Sequence, residues 1–367
     1  MLLLRLLLLL FFGFTFGFIT ETKANLYGFK SYNPYTKEEQ LSDLRYPPLS
    51  MDNYREEMRK TILMLINYAK EKRPDFKIII HNDQQLLNKS LWEYSLDGYN
   101  LIRKQSNAKD DFFLFHDKYV DIEPQRNTLA HKYLNMIDAI VLNNIYCGTQ
   151  KINPVAKNHN LDLISVEYCP DINALEEAQI NSIIDKRSIY AFTDLENAFK
   201  TIGDYEHIND SARNIYQISD AQNILILNDD SLYKSQEEFT NDLSKTNYDI
   251  IIIHPLFAHN KRFSDENFRK LKFKKNGTKR LIIAEFNISE ANPMEYYWQD
   301  NWRIGNPSWL IRPSFSSPNN IITQYWAPEW KKIIAKYFDD LLNEDFDGVF
   351  FTGVENYSYF EQRSPLE

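Results

Sequence analysis

The chain has 367 residues, of which 43% are hydrophobic and 14% aromatic, enough for a sizeable core in one large domain or two smaller ones. Its net charge is −9 and it contains no run of basic residues, which argues against a nucleic-acid partner. Such a composition also excludes a disordered or fibrous protein.

The N-terminal segment, residues 2–19, is almost entirely apolar. A short polar stretch follows it and leads to Ala24, a small residue of the kind found at signal-peptide cleavage sites. We therefore predict a signal peptide over residues 1–24, a single domain over 25–367, and a secreted or periplasmic protein. The apolar segment is just long enough to span a bilayer, so an uncleaved N-terminal membrane anchor is the alternative.

Eight short runs rich in β-branched residues come next. Most are continuously apolar rather than alternating, which is typical of strands buried on both faces of a parallel sheet. The predicted strands are 77–81, 139–143, 163–168, 188–192, 223–228, 249–254, 280–286 and 348–353.

Helical patterns separate most of these runs. The clearest is 52–72, where Met58, Ile62 and Leu65 recur at the helical period and Ser50 or Asp52 is the expected cap. Further helices are predicted over 173–184, 194–201, 235–245, 264–271 and 327–343.

The alternation of strands and helices predicts an α/β protein, a (β/α)8 TIM barrel. A doubly wound open sheet is the alternative, although no glycine-rich phosphate-binding motif follows any strand. Two longer segments interrupt the alternation, 83–128 and 291–326, and the second is rich in Trp, Tyr and Pro. In a barrel, such insertions lie on the face that carries function.

Polar residues are frequent where the predicted strands end, which is where barrel enzymes have their active sites. Several are carboxylates, and glycoside hydrolysis needs one as an acid and another as a base or nucleophile. Helix capping and ion pairing are the structural alternatives for such groups. His254 lacks HxxxH or Cys/His spacing, so we predict a hydrogen-bonded core residue, with no metal and no cofactor. The residues at the strand ends are His81, Asn82, Asn143, Glu167, Asp229, Asp230, His254, Glu285, Glu290, Thr352 and Glu355.

Nucleophilic catalysis by serine or cysteine finds no support in the sequence. There is no GxSxG motif, and neither Cys147 nor Cys169 lies in a recognisable nucleophile motif. Export would permit a disulfide between these two cysteines, and two buried free thiols are the alternative.

The stretch 281–360 resembles a known family. It contains "LIIAEFNISEANPMEYYWQDNWRIGNPSWL", "QYWAPEWKKII" and "DFDGVFFTGVENYSYF", in the order found in that family. The family is the endo-α-1,4-polygalactosaminidases, glycoside hydrolase family 114, with their bacterial and archaeal relatives. The resemblance implies a barrel that acts on or binds an amino-sugar polysaccharide or oligosaccharide.

The order of the remaining segments differs from that family. "YREEMRKTILMLINYAKEKRPDFKIIIHN", "MIDAIVLNNIYCG" and "DLISVEYCP" resemble strands that normally follow the Asp-Gly-Val strand, but here they lie at 54–170, before it. A circular permutation explains this order, with the chain starting near the fifth strand of the family and ending just after the fourth. A remnant of a tandem duplication is the alternative.

The resemblance also implies that both catalytic carboxylates are substituted. The family's Asp, in a pattern like Asp-Gly-Val-x-x-Asp, corresponds to Thr352, and its Glu corresponds to Asn143. Neither Thr nor Asn ionises near neutral pH, so neither can form a glycosyl ester or deliver a proton. His254 stands at the position of a usual aspartate, whereas Glu290 and Asp347 are retained.

Three hypotheses follow. The protein is an active glycosidase that uses Glu290 or Glu355 together with Glu167, a non-catalytic pseudo-enzyme that keeps the sugar cleft, or a decayed protein. Nucleic acid is excluded as a partner, and a membrane is contacted only through an uncleaved signal segment. Besides Glu290, the residues expected to bind substrate are Asn82, Tyr168, Trp309, Tyr325 and Trp326.

Overall fold

The computed structural model describes residues 52–90, 93, 94, 96, 128–159, 161–203, 210–315, 317 and 319–363. The predicted signal peptide and most of the 83–128 segment lie outside these residues. Within the described part of the chain, no helix is long and apolar enough to cross a membrane.

Eight parallel strands form the central sheet, in the order β4-β3-β2-β1-β11-β7-β6-β5. A parallel bridge between Ile189 and Asn223 joins the outer strands β4 and β5 and brings the sheet round into a (β/α)8 barrel. The predicted fold class is therefore confirmed. The strands are β1 (Lys77–His81), β2 (Ala139–Asn143), β3 (Asp162–Tyr168), β4 (Ser188–Phe192), β5 (Ile224–Leu227), β6 (Ile250–Ile253), β7 (Leu281–Asn287), β8 (Glu290–Ala291), β9 (Leu310–Pro313), β10 (Ile321–Thr323) and β11 (Gly348–Thr352).

Helices alternate with the barrel strands. The first is capped by Asn53, whose side chain accepts a hydrogen bond from the Glu56 backbone, so the predicted cap Asp52 is wrong, and Ser50 lies outside the described residues. The helices are α1 (Tyr54–Lys72), α2 (Leu129–Met136), α3 (Pro154–Asn158), α4 (Ile172–Ile184), α5 (Gln236–Ser244), α6 (Asp265–Leu271), α7 (Pro328–Leu342) and α8 (Tyr357–Glu361).

The helix predicted over 194–201 is wrong, because residues 195–200 form consecutive turns. The backbone N–H groups of Lys200 and Thr201 both donate to Asn197, and the Ala198 carbonyl accepts a hydrogen bond from the Tyr190 hydroxyl. That carbonyl is consequently committed to the barrel core instead of to a helical ladder.

The 291–326 insertion folds partly as a small antiparallel sheet, β8-β10-β9, which the sequence patterns did not predict. It packs against α7 through an aromatic cluster in which Trp309 and Trp330 have ring centroids 5.4 Å apart. The indole N–H of Trp330 donates to the Ile288 carbonyl, 2.9 Å away, between β7 and β8. These contacts fix the insertion on the barrel.

Cys147 and Cys169 form a disulfide, which resolves the alternative left open by the sequence. The bond ties the loop after β2 to the residue that follows β3. Cys169 also belongs to a small apolar cluster with Leu175 and Ile189, separate from the main core.

Candidate functional site

Glu285 occupies the mouth of the barrel. It lies on β7, yet its carboxylate accepts hydrogen bonds from Asn228 Nδ2 (2.7 Å), just after β5, and from Thr352 Oγ1 (3.3 Å), on β11. Since β5 is separated from β7 by β6, a side chain of β7 meets Asn228 from inside the barrel. A carboxylate thus lies at the centre of the face where barrel enzymes act.

Thr352 and Asn143, the two positions at which the sequence resemblance predicts catalytic carboxylates, lie around this mouth. Thr352 contacts Glu285, and Asn143 Nδ2 is 3.4 Å from His81 Nε2. Burial lowers the pKa of His81, although the charge of Glu285 acts in the opposite direction. Both family positions are therefore at the mouth, but neither supplies a carboxylate.

A cleft of about 710 Å³ opens beside the mouth, between the segments that follow β1, β2 and β11. Its volume is within the usual range of small-molecule sites. Its lining is rich in amide and carboxyl side chains, which are suited to hydrogen bonding with hydroxyl groups. The lining residues are Asn82, Asp83, Gln84, Gln85, Gln150, Lys151, Ile152, Asn153, Pro154, Glu355, Tyr357 and Ser358.

The predicted substrate-binding residue Asn82 lies in this cleft, where its left-handed backbone (φ 44°) turns the chain after β1. Its Oδ1 accepts a hydrogen bond from Gln150 Nε2 at 2.8 Å. This bond connects the β1 and β2 sides of the cleft.

Asp83 is a buried carboxyl in the cleft wall. Its Oδ1 accepts hydrogen bonds from the Gln85 backbone (2.9 Å) and the Tyr357 hydroxyl (3.2 Å), whereas its Oδ2 has no hydrogen-bond partner. Burial raises its pKa to about 6, with the Glu355 charge adding to the rise and Arg55 opposing it. Asp83 therefore changes charge in a pH range where many enzymes work.

Glu355 lies on the opposite side of the same cleft, just after β11. The residue is exposed at the cleft, although the protein atoms around its carboxyl still desolvate it. This desolvation raises the pKa of the Glu355 carboxyl, and the nearby charge of Glu290 acts in the same direction. The turn that presents Glu355 requires Gly353, whose φ is +71°. A Cβ added at this position would lie 2.4 Å from Asn287 Oδ1.

We expect Asp83→Asn to stabilise the protein near neutral pH and to have little effect in acid. The folded-state pKa of Asp83 is raised to about 6, so the folded protein favours the protonated carboxyl. The stability that this preference contributes is complete below the unfolded pKa of about 4 and is lost as the pH rises through about 6. The gain at neutral pH is on the order of 2 kcal/mol. Urea unfolding of wild type and variant, at a pH below about 4 and again at neutral pH, measures the difference in the free energy of unfolding.

The exposed Asp75→Asn variant, on the chain just before β1, is the matched control and should be neutral at both pH values. A loss of stability in Asp83→Asn at neutral pH would contradict the expectation, as would an equal change at both pH values.

Glu290, predicted as catalytic, is buried and fully hydrogen-bonded. Its carboxylate accepts from Ser314 Oγ (2.6 Å) and from the side-chain amides of Asn287, Asn320 and Asn356 (3.0 Å each). These bonds hold the small sheet against the turn that carries Glu355. The contacts of Glu290 are those of a structural anchor.

Glu167, the other predicted catalytic residue, is fully buried. Its two oxygens accept hydrogen bonds from the backbone of Ile145 (2.8 Å), Tyr146 (3.1 Å) and Cys147 (2.8 Å), and from the Ser165 hydroxyl. With these four donors it anchors the β2–α3 loop. A carboxylate enclosed and hydrogen-bonded in this way is not presented to a substrate, and Glu167 is a structural anchor in this structure.

The aromatic candidates divide by burial. Trp309 and Tyr325 are 4% and 0% exposed, and the Tyr325 hydroxyl donates to the Tyr54 carbonyl, so neither ring is presented to solvent. Trp326 is half-buried against Tyr54, with ring centroids 5.1 Å apart. Tyr168 is 45% exposed at the end of β3, where it offers an open ring face.

A second cluster of titratable groups lies at the end of β6. His254 Nε2 and His259 Nδ1 are 2.8 Å and 2.9 Å from the same oxygen of Glu295, Oε1. His254 is hydrogen-bonded, as predicted, but it is joined by a second histidine and a carboxylate that its sequence spacing did not indicate. Burial would lower its pKa, but Glu295 outweighs that effect and raises it, while the two histidines hold the pKa of Glu295 at about 2 against the effect of burial.

No protein-family model matches the chain. Three uncharacterized proteins are similar to parts of it: one of Methanocaldococcus jannaschii is 30% identical over 132 residues, covering 35% of this chain and 37% of that protein. One of Thermotoga maritima is 29% identical over 84 residues, which cover 23% of this chain and 26% of that protein. One of Deinococcus radiodurans is 31% identical over 84 residues, which cover 23% of this chain and 27% of that protein. The chain thus spans well under half the length of these curated relatives.

Proposed function

We propose that the protein binds an amino-sugar polysaccharide in the cleft and hydrolyses it, as a glycoside hydrolase of the polygalactosaminidase type. The observation that supports this proposal is the placement of Asp83 and Glu355 on one open cleft, after the neighbouring strands β1 and β11. Glycoside hydrolysis needs two carboxyl groups that flank the scissile bond.

The different surroundings of the two carboxyls suit different roles. Glu355, whose side chain is exposed in the cleft and can reach a substrate, is the proposed acid that protonates the departing glycosidic oxygen. Asp83 is buried in the cleft wall with its Oδ2 free of hydrogen bonds, so in the proposed reaction its side chain turns toward the cleft and, as a carboxylate, attacks the anomeric carbon or takes a proton from the attacking water. When water completes the reaction, one glycosidic bond is hydrolysed and both carboxyls return to their starting states.

The chemistry of the cleft favours a cationic sugar polymer. Two carboxyls and several side-chain amides line it, and the chain has a net charge of −9. Carboxylates attract the ammonium groups of a deacetylated amino sugar, and the amides can bind its hydroxyls. The resemblance at 281–360 suggests the same class of substrate.

A permuted strand order is compatible with the similarity to other proteins. The aligned segments cover only 23% to 35% of this chain. A circular permutation reverses the order of two segments of the chain. An alignment that keeps residue order can match only one of these segments at a time, so a permutation would produce short matches. The first and last barrel strands, β1 and β11, pair directly, which makes an exchange of chain ends physically mild.

Export of the protein, to the periplasm or out of the cell, belongs to this proposal. The Cys147–Cys169 disulfide supports it, because such bonds persist mainly in oxidising compartments outside the cytosol. A polysaccharide substrate would be met there.

A non-catalytic carbohydrate-binding protein is the second candidate, favoured by one specific observation. Thr352 and Asn143 lie at the barrel mouth, where the family resemblance implies carboxylates. Such a protein would keep the cleft and its affinity for the polymer but would not cleave it.

The test uses partially deacetylated polygalactosamine and two matched variants. Wild-type protein should bind the polymer, less tightly as salt increases, and should release new reducing ends. Gln85→Ala, in the cleft wall, should weaken binding, whereas Gln217→Ala, exposed on the chain before β5, should not.

Binding without hydrolysis would support the second candidate. An absence of binding, or equal binding by both variants, would overturn the assignment of the cleft to this polymer.

A further inference from the structure

The cluster at the end of β6 has the composition of a metal site. One ligand atom from each of His254, His259 and Glu295 lies within 4.8 Å of the other two. Two imidazoles with one carboxylate form a donor set that is typical of zinc sites with an open coordination position. In a tetrahedral zinc site, ligand atoms are about 3.4 Å apart, so the three groups need only small shifts to bind one ion.

One oxygen of this cluster has no partner. The Glu295 side chain is 5% exposed, and while Oε1 contacts both histidines, Oε2 has no hydrogen-bond partner. The buried Tyr337 hydroxyl lies beside the Glu295 carboxylate, but it makes no hydrogen bond of good geometry to Oε2. A buried carboxylate oxygen left without a donor is costly, and a bound cation would satisfy it.

The surroundings fix the orientation of the histidines. His254 Nδ1 is 2.7 Å from the Leu256 carbonyl, so Nε2 is directed at Glu295. Metal-binding histidines generally use their second nitrogen in this way. Asp230 Oδ2 accepts a hydrogen bond from the Ala258 backbone at 2.7 Å and thereby holds the turn that presents His259.

That turn adopts an unfavourable backbone conformation. Ala258 and His259 have φ angles of 49° and 61°, in the left-handed region that residues with a Cβ rarely occupy. Strain of this kind persists where surrounding contacts impose it, and it places the His259 ring 4.3 Å from the His254 ring, centroid to centroid.

We propose that His254 Nε2, His259 Nδ1 and Glu295 form a binding site for one divalent transition-metal ion, Zn²⁺ by its donor set. The metal takes the place of the protons that the histidines share with Glu295, and those protons are released to solvent. The side chains of His254 and His259 are 14% and 22% exposed, so an ion and one water or substrate oxygen can reach the site. His254 directly follows β6, which puts the site at the C-terminal ends of the strands, on the same face as the barrel mouth.

Metal binding can be measured without any assay of carbohydrate, so the outcome is independent of the cleft proposal. The full chain is first stripped with a chelator, and Zn²⁺ is then titrated by calorimetry. Co²⁺ serves as a spectroscopic substitute, because its visible absorption reports coordination number. Wild type should bind one Zn²⁺ per chain, raise its melting temperature with added metal, and give a four-coordinate Co²⁺ spectrum.

Two ligand variants and two controls decide the assignment. His259→Ala and Glu295→Gln should each lose more affinity than the roughly 10–100-fold that removal of an outer-shell partner costs. His131→Ala, on α2, and Glu237→Gln, exposed on α5, should bind Zn²⁺ as the wild type does. Circular dichroism confirms that each variant is folded.

Lack of Zn²⁺ binding by folded wild type would overturn the proposal and leave an ion-paired triad. Unchanged affinity in both ligand variants would overturn it as well, because the metal would then be bound elsewhere. Loss in the ligand variants alone, together with the four-coordinate spectrum, would establish the site.

Discussion

Arg59→Met should destabilise the protein by about 3–5 kcal/mol, the usual cost of removing one partner from a buried ion pair. Arg59 and Glu93 have fully buried side chains, with Nη1 and Oε1 2.6 Å apart. Methionine fills similar space but leaves the Glu93 carboxylate charged and without its cation. Guanidinium unfolding, with the slope compared between variants, measures the loss.

The same substitution should damage the cleft. Arg59 also donates to the carbonyls of Leu86 and Asn88, both at 2.9 Å, in the segment that follows Asp83 and Gln85. Without these bonds, the segment that supports the cleft wall at Asp83 and Gln85 loses two of its attachments to α1. We therefore expect weaker polymer binding in addition to lower stability.

Lys60→Met is the matched control, on the same helix and next to Arg59. Its ion pair with Glu57 is exposed, and such pairs contribute about 0–1 kcal/mol. Adding Glu93→Gln to Arg59→Met should recover part of the lost stability, because the uncompensated charge is removed. A loss below about 1 kcal/mol in Arg59→Met would contradict a structural role for this pair.

The barrel strands were predictable because they are buried on both faces. Their sequences are short continuous apolar runs, such as Ile250–Ile253, bounded by polar residues. The sheet β8-β10-β9 was not predictable, since its strands have two to four residues and no clear pattern. The same applies to the short helices α3 and α8.

The site was harder to predict than the fold, for physical reasons. Glu295 is 41 residues from His254, and only the folding of the insertion over the barrel brings them together. Asp83 follows β1 by two residues and resembles an ordinary cap of the short turn that it begins. Trp309, which directly precedes β9, is a core residue, whereas Tyr168, at the end of β3, is exposed. The sequence does not distinguish them, because each is an aromatic residue next to a loop.

Burial also explains why two of the three predicted catalytic carboxylates are structural anchors. Glu167 and Glu290 each satisfy four donors, a number that sequence spacing does not reveal. Glu355 is the one that keeps a surface in the cleft. The proposed chemistry therefore depends most on this residue.

Glu355→Gln should lower the rate of polymer hydrolysis by about 10²–10⁴-fold, the usual contribution of a general acid. Glutamine keeps the shape of the side chain but cannot protonate the glycosidic oxygen, so the Kd for the polymer should change little. In wild type the rate should fall as pH rises through the raised pKa of Glu355, and this alkaline limb should disappear in the variant.

The acid role predicts a further dependence on the leaving group. An aryl glycoside whose phenol departs without protonation should be cleaved by Glu355→Gln with a much smaller loss than the polymer, because the acid is needed only for a poor leaving group. Glu237→Gln, exposed on α5, should hydrolyse both substrates at the wild-type rate. An equal loss on both substrates would assign Glu355 to positioning rather than to proton transfer, and an undiminished rate on the polymer would remove it from the reaction.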